Sequence, residues 1–107
     1  RDFELRHHAK IYVGEFSAVI WAPGAAQYLH DLIDIFEEYG WDWSYHAFRE
    51  NPIWSLEHAG ADNLTLKKSD VETDRMAVLK SGWAKNAPRV PVVPTGKFAR
   101  SVSAGRE

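Results

Sequence analysis

The stretch Ile11-Tyr12-Val13-Gly14-Glu15-Phe16 indicates the fold more directly than any other part of the chain. Its nearly continuous apolar run predicts a strand over residues 10–16 that is buried on both faces. An ionised acid in a packed interior is unfavourable unless it is paired or used. Acids at the carboxyl ends of parallel strands are where α/β enzymes carry out chemistry. Glu15 is therefore the first candidate for a catalytic group, with a structural acid paired to an arginine as the alternative.

The residues after this strand predict a loop and then a helix over residues 24–39. Pro23 suits the first position of a helix, where its missing N–H costs nothing. Gly40 suits a left-handed residue at the helix C-terminus. The apolar side chains recur with a helical period and define one inward face, which consists of Leu29, Leu32, Ile33 and Phe36.

A second strand is predicted over the aromatic-rich residues 41–48. Strand, helix and strand then form one βαβ unit, in which the two strands are expected to be parallel. Within the second strand, we expect Trp43 and Phe48 to lie on one face and Tyr45 on the other.

The C-terminal part has a weaker pattern. Residues 51–68 are expected to form a long loop, and Ser69 or Asp70 is expected to begin a final helix that runs to about Lys85. The inner side of this helix is predicted to carry Val71, Met76, Leu79 and Trp83. Residues 87–107 are expected to form a flexible tail that contains proline and glycine.

Composition excludes several classes of function. The 107 residues are 45% hydrophobic and 26% charged, as in a globular domain. A net charge of −2 makes nucleic acid and anionic membranes poor candidate partners. The absence of cysteine excludes disulfides and thiolate metal sites. The histidines lack metal-binding spacing, and no phosphate-binding loop or dinucleotide motif occurs, so neither a metal nor a cofactor is expected.

Two strands and two helices make an incomplete layer structure, since a two-stranded parallel sheet does not usually stand alone. The simplest explanation is that the chain is one part of a larger repeating β/α protein. In order and spacing, the sequence resembles the C-terminal quarter of glycoside hydrolase family 5, the cellulase-like (β/α)8-barrel glycosidases. The resemblance covers about residues 2–84 and rests on four segments: Ile11-Tyr12-Val13-Gly14-Glu15-Phe16-Ser17-Ala18, Trp21-Ala22-Pro23-Gly24, Trp41-Asp42-Trp43-Ser44-Tyr45-His46-Ala47-Phe48-Arg49-Glu50 and Trp54-Ser55-Leu56-Glu57-His58.

This resemblance implies an α/β fold class, namely the C-terminal fragment of a (β/α)8 TIM barrel comprising strand 7, helix 7, strand 8 and helix 8. Residues 1–86 are then expected to be a partial (β/α)8 glycosidase catalytic domain. It implies that Glu15 is the nucleophile of a retaining hydrolase that cleaves β-linked glucan or mannan-type polysaccharides or oligosaccharides. Retaining hydrolysis requires two carboxyl groups ~5–5.5 Å apart. The acid/base glutamate of the family follows an asparagine, and this chain contains no Asn-Glu pair. We therefore expect the acid/base, with the rest of the barrel, to lie upstream of Arg1, and the chain alone to be inactive.

The resemblance also implies an extracellular or periplasmic location and an aromatic platform for the sugar. The family places a tryptophan late in strand 8, and the simplest register puts His46 there. The candidate substrate-binding residues are Trp21, Trp43, His46, Phe48 and Trp54. Two other interpretations stay open: a non-catalytic carbohydrate-binding module that uses the aromatic cluster, and a structural remnant that self-associates through its strand edges.

Overall fold

A pair of parallel strands joined by a helix forms the centre of the fold. The computed structural model describes residues 1–86. Its elements in chain order are α1 (Asp2–His7), β1 (Tyr12–Phe16), α2 (Ala25–Tyr39), β2 (Asp42–Tyr45), a 3₁₀ turn (Pro52–Trp54), β3 (His58–Ala59), β4 (Lys67–Lys68) and α3 (Asp74–Trp83). The predicted tail at residues 87–107 lies outside the described residues. Within residues 1–86, every helix is too short or too polar to cross a bilayer.

β1 and β2 pair in parallel, as the βαβ pattern predicts. The pairing contains one irregularity. Val13 is paired with Trp43 and Phe16 with Tyr45, so two residues of β1 lie opposite Ser44 alone. The tyrosine hydroxyl of Tyr12 lies 2.7 Å from the Ser44 hydroxyl. Ser44 in turn donates to the Gly14 carbonyl at 2.7 Å.

The hydrophobic core lies between this sheet and the helices α2 and α3. Its buried residues are Phe16, Leu29, Ile33, Phe36 and Leu79, and Val13, Trp43, Tyr45 and Val78 pack against them. Leu29 and Leu79 are fully buried. The inward face predicted for residues 24–39 is thus confirmed, although Leu32 is only half-buried. Both helices therefore cover the face of the sheet that carries Val13 and Trp43.

The opposite face of the sheet is open. Tyr12 is 64% exposed, and Gly14 and Glu15 are exposed as well. The expectation that residues 10–16 are buried on both faces is therefore wrong for the described chain. Phe16 is the buried residue of this strand.

The two glycines at the ends of α2 are both left-handed, with φ of 73° at Gly24 and 66° at Gly40. Gly40 ends the helix as predicted, and its N–H donates to the Glu37 carbonyl. At the other end the predicted start at residue 24 is one residue early, and Pro23 does not occupy the first helical position. The helix begins at Ala25 after an N-terminal cap at Gly24, so Pro23 lies in the preceding turn.

The side chains of β2 alternate differently from our expectation. Phe16 makes edge-to-face contacts with both Trp43 and Tyr45, so these two residues share the core face. A strand has a side-chain period of two, which places residues 43 and 45 together. Phe48 lies beyond the end of β2 and is 80% exposed.

The predicted long loop over residues 51–68 contains local structure. Asn51 caps the 3₁₀ turn by accepting from the Ile53 N–H. β3 and β4 form a short antiparallel ladder, in which His58 pairs with Lys68. Ladders of two residues have no readable periodicity, and hence this hairpin was not predicted.

The final helix starts later than predicted. Thr73 is its N-terminal cap and accepts from the Met76 N–H, whereas Ser69 bonds locally to Val71. The inward face also differs: Leu79 is buried as expected, but Val71 is 75% exposed and Trp83 is 43% exposed. The buried positions of α3 are Arg75, Leu79 and Gly82. At Gly82 the missing side chain allows close packing, since an added Cβ would lie 3.0 Å from Ile33 and 3.1 Å from Trp43.

Candidate functional site

Glu15 lies at the carboxyl end of β1, at the irregularity in the strand pairing. Its side chain is exposed, and no hydrogen bond or ion pair involves it within residues 1–86. Irregularities of this type often re-aim a side chain beside an active site. The exposed position removes the argument from burial, but it leaves a carboxylate that is free to meet a ligand.

The backbone next to Glu15 is fixed by the neighbouring aromatic residue. Phe16 packs edge-to-face on Phe36 at 5.2 Å, on Trp43 at 5.5 Å and on Tyr45 at 5.7 Å between ring centroids. Such pairs prefer this geometry and add to the free energy of burial. The residue that follows Glu15 in β1 therefore contacts three other aromatic rings, which fixes this part of the strand.

His46 directly follows β2 and lies beside the end of β1. Its main-chain N–H donates to the Phe16 carbonyl at 3.0 Å. The imidazole Nε2 lies 3.2 Å from a carboxylate oxygen of Glu50, and the ring centroid lies 5.8 Å from that of Trp54. The sequence offered one signal for Glu50, namely its position four residues after His46.

Trp54 is held from two directions at this same end of the sheet. Tyr45 donates its hydroxyl to the Trp54 carbonyl at 2.6 Å. The Ile20 N–H donates to the Ile53 carbonyl at 2.9 Å, which joins the loop after β1 to the 3₁₀ turn. The indole N–H of Trp54 is buried and has no hydrogen-bond partner within residues 1–86. Burial raises the pKa of the Tyr45 hydroxyl above its ordinary value.

The other three aromatic residues that were predicted to bind substrate lie in different environments. Trp21 is half-buried in the turn between β1 and α2, next to the tied residue Ile20. Phe48 is exposed, and the Arg49 guanidinium lies over its ring at 4.7 Å from the centroid. Trp43 packs in the core and donates its indole N–H to Glu37 at 3.0 Å. We therefore leave Trp43 out of the sugar-binding site that is proposed below.

Arg75 is a buried cation that our sequence interpretation missed. Its guanidinium donates to the carbonyl oxygens of Ser55, at 2.9 Å, and of His58. Its side chain is 4% exposed, and burial lowers its pKa. The spacing Arg75, Leu79, Gly82 follows a helical face and was the available signal. The residue fastens the segment after Trp54 to α3.

Arg49 and Glu57 form a bidentate ion pair beside this segment. The Arg49 Nε and Nη2 donate to the two Glu57 oxygens at 2.8 and 3.0 Å. The hydrogen bonds from Arg49 lower the pKa of Glu57. The pair ties the loop after β2 to the start of the hairpin, and it gives the Glu57 carboxylate a structural role.

The described residues offer little for a metal. Among residues 1–86, no group of three or more histidine, aspartate or glutamate side chains could hold a metal ion. His30 lies on the exposed side of α2, near Asp31 and Asp34. What the carboxyl end of the sheet presents is an exposed carboxylate, an imidazole and an aromatic ring.

No model of a known protein family matches this chain, and no curated protein matches it at a significant level. The resemblance to glycoside hydrolase family 5 therefore stays a prediction from the segments quoted above.

Proposed function

We propose that this chain is the C-terminal part of a retaining glycoside hydrolase, and that Glu15 is its nucleophile. In this proposal Glu15 attacks the anomeric carbon of a β-linked sugar. The bond to the leaving-group oxygen breaks, and the oxygen takes a proton from an acid/base carboxyl on another segment of the protein. Water, deprotonated by that same carboxyl, then releases the sugar from Glu15.

The observation that carries the proposal is the placement of Glu15. It is an exposed carboxylate at the carboxyl end of a parallel strand, beside an irregularity in the pairing. A nucleophile must be ionised, accessible and held by a rigid element. The packing of Phe16 in the core supplies the last of these conditions.

The one-sided covering of the sheet also supports the proposal. Helices α2 and α3 pack on the face that carries Trp43 and Tyr45, and the other face is open at Tyr12 and Gly14. A (β/α)8 barrel has helices outside and side chains of other strands inside. The open face is therefore the side on which the remaining strands of such a barrel would lie.

The proposed substrate contacts are the side chains that meet at the carboxyl end of the sheet. His46 and Trp54 lie beside each other there, and Trp21 is joined to them through the Ile20–Ile53 hydrogen bond. A sugar ring has apolar C–H faces and a polar edge, and it suits an aromatic surface next to hydrogen-bonding groups. Phe48 follows the end of β2 and is 80% exposed, and we assign it to a neighbouring sugar unit.

The test is covalent labelling of the natural protein, including any residues that precede Arg1. A 2-deoxy-2-fluoro-β-glucoside with an activated leaving group traps the glycosyl ester of a retaining enzyme. We expect the added mass on the tryptic peptide that spans residues 11–49, with fragmentation assigning it to Glu15.

The control is Glu15→Gln, which keeps the size of the side chain and removes the nucleophilic oxygen. This variant should show no label. A protein that hydrolyses aryl β-glycosides but carries the label on another carboxylate would overturn the assignment of Glu15. A natural protein with neither turnover nor label would overturn the enzyme proposal.

A further inference from the structure

A cavity of about 690 Å³ lies at the amino ends of β1 and β2, at the opposite end of the sheet from Glu15. Its volume falls within the roughly 300–1,000 Å³ that is typical of small-molecule sites. Glu15, His46 and Trp54 do not line it. The cavity is therefore separate from the site proposed above.

Aromatic residues are among those that line it, beside a larger polar surface. Tyr12 and Trp83 are 64% and 43% exposed, and Trp41 is half-buried. The Trp41 indole N–H donates to Glu4 at 3.0 Å, which fixes that ring at the start of β2. Exposed aromatic rings around a concave surface are unusual for a core and typical of binding sites.

Both hydrogen-bond acceptors and hydrogen-bond donors lie near these rings. Asp42 is an exposed carboxylate without a hydrogen-bond or ion-pair partner in residues 1–86. Glu37 accepts from Trp43 with one oxygen, while its second oxygen has no such partner in the same range. Asn86 and Lys85 also line the cavity, and the Lys85 ammonium donates to Asp34 at 2.9 Å.

Two classes of ligand suit aromatic rings beside carboxylates, namely organic cations and sugars. A cation gains from the ring faces and from Asp42. However, Lys85 and Asn86 also line this cavity and bring hydrogen-bond donors, which a cationic ligand cannot accept. The mixed donors and acceptors match hydroxyl groups, which both donate and accept. The volume likewise exceeds what a small ammonium group fills.

We propose that this cavity is a second glycan-binding site, which holds a neutral β-linked oligosaccharide by stacking on Trp83 and by hydrogen bonds to Asp42. The choice of a β-linked glucan as ligand rests on the proposed function. The site itself does not use Glu15. It would retain a polysaccharide chain on the protein at a distance from the reacting bond.

The experiment is a titration of the full 107-residue chain with cellotetraose, followed by heteronuclear NMR and by isothermal titration calorimetry. We expect saturable binding that weakens at least about tenfold in Trp83→Ala, because truncating a central aromatic contact removes a large share of binding. Asp42→Ala should also weaken binding. Because Asp42 is exposed, this second variant tests the site even if Trp83→Ala does not fold.

Tyr28→Ala serves as the matched control, because it removes a 52% exposed aromatic ring of α2 outside the cavity. This variant should bind cellotetraose like the unchanged chain. Trp83 and Asp42 are not part of the site proposed around Glu15. The binding result is thus scored separately from the labelling of Glu15, so either proposal can fail while the other holds.

Three outcomes would overturn the inference. The first is the absence of cellotetraose binding, and the second is binding that is unaffected by both Trp83→Ala and Asp42→Ala. The third is saturable binding of tetramethylammonium but not of cellotetraose, which would assign the cavity to cations.

Discussion

The main-chain N–H of His46 donates to the Phe16 carbonyl at 3.0 Å, so the residue after β2 is bonded to the residue after Glu15. This bond sets the relative position of the two strand ends. It holds the backbone that follows the candidate nucleophile in the ordered sheet. The proposed site therefore depends on packing that is formed before any ligand arrives.

Glu15→Gln is expected to abolish hydrolysis with little effect on stability. In the natural protein, kcat for an aryl β-glycoside should fall by at least about 10³-fold, as for other nucleophile deletions. The free energy of unfolding should change by no more than about 0.5 kcal/mol, because the side chain is exposed. Enzyme assays and urea denaturation measure the two effects. The 107-residue chain alone should show no turnover, and glycoside hydrolysis by it would refute the expected need for a second segment.

Leu79→Ala is expected to destabilise the chain by about 2–5 kcal/mol, because it empties a fully buried site shared by the sheet and both long helices. Urea denaturation followed by circular dichroism measures the difference. Leu64→Ala is the matched control, since Leu64 is 93% exposed and should change stability by less than about 0.5 kcal/mol. Equal effects of the two substitutions would contradict the described core.

Arg75→Met is expected to destabilise the chain by about 1–3 kcal/mol, because it leaves the Ser55 and His58 carbonyls without their buried donor. Amide hydrogen exchange should increase locally, over residues 55–58, more than it does in α2. Lys80→Met on the exposed side of α3 serves as the control. If exchange rises uniformly along the chain, Arg75 supports the whole core and does not specifically fasten this segment.

The ion pair between Arg49 and Glu57 is expected to make stability depend on pH. The Arg49 hydrogen bonds hold the pKa of Glu57 below its ordinary value of 4.5 in the folded chain. The stabilisation is therefore fully present above the pKa of the unfolded chain, and it is lost as the pH falls through the lower folded value.

Glu57→Gln tests this expectation through urea denaturation at pH 7 and at pH 3. The substitution should reduce stability at pH 7 and have a smaller effect at pH 3, because pH 3 lies below the ordinary pKa of 4.5 at which Glu57 is protonated in the unfolded chain. Added salt should reduce the effect at pH 7, because Arg49 is 59% exposed. A difference between the two chains that is the same at both pH values would contradict this assignment.

The helix α2 could be predicted from sequence because its signals are local. Leu29, Ile33 and Phe36 recur with the helical period, and Gly40 provides the left-handed residue that ends it. The parallel pairing of β1 and β2 followed from the same pattern. The signals of the helix lie within one or two turns of the chain, and the pairing follows from the order of strand, helix and strand, so both are visible in a single sequence.

The parts that were missed depend on contacts between distant residues. Thr73 begins α3 where Ser69 or Asp70 was expected, and its hydroxyl also donates to the distant Leu56 carbonyl at 2.6 Å. Arg75 is buried because two carbonyls of a remote segment surround it. No local sequence pattern predicts these hydrogen-bond partners, because they come together only when the chain folds.

The exposure of Glu15 was missed for a related reason. A regular strand alternates its side chains between two faces, and the extra residue opposite Ser44 shifts that alternation after Val13. The position of such a shift is set by the partner strand. The sequence of β1 therefore identified the carboxylate of Glu15 but not the direction in which the strand presents it.

In the hydrogen bonds that join Tyr12, Ser44 and Gly14, the donor of each bond is fixed. A serine hydroxyl carries one proton, and Ser44 uses it on the Gly14 carbonyl. Tyr12 must then donate its own proton to Ser44, and its phenolic oxygen is left with lone pairs only. Any molecule that reaches this oxygen from the open side must bring a hydrogen of its own, so an ether or a carboxylate is rejected at a point where an alcohol is accepted.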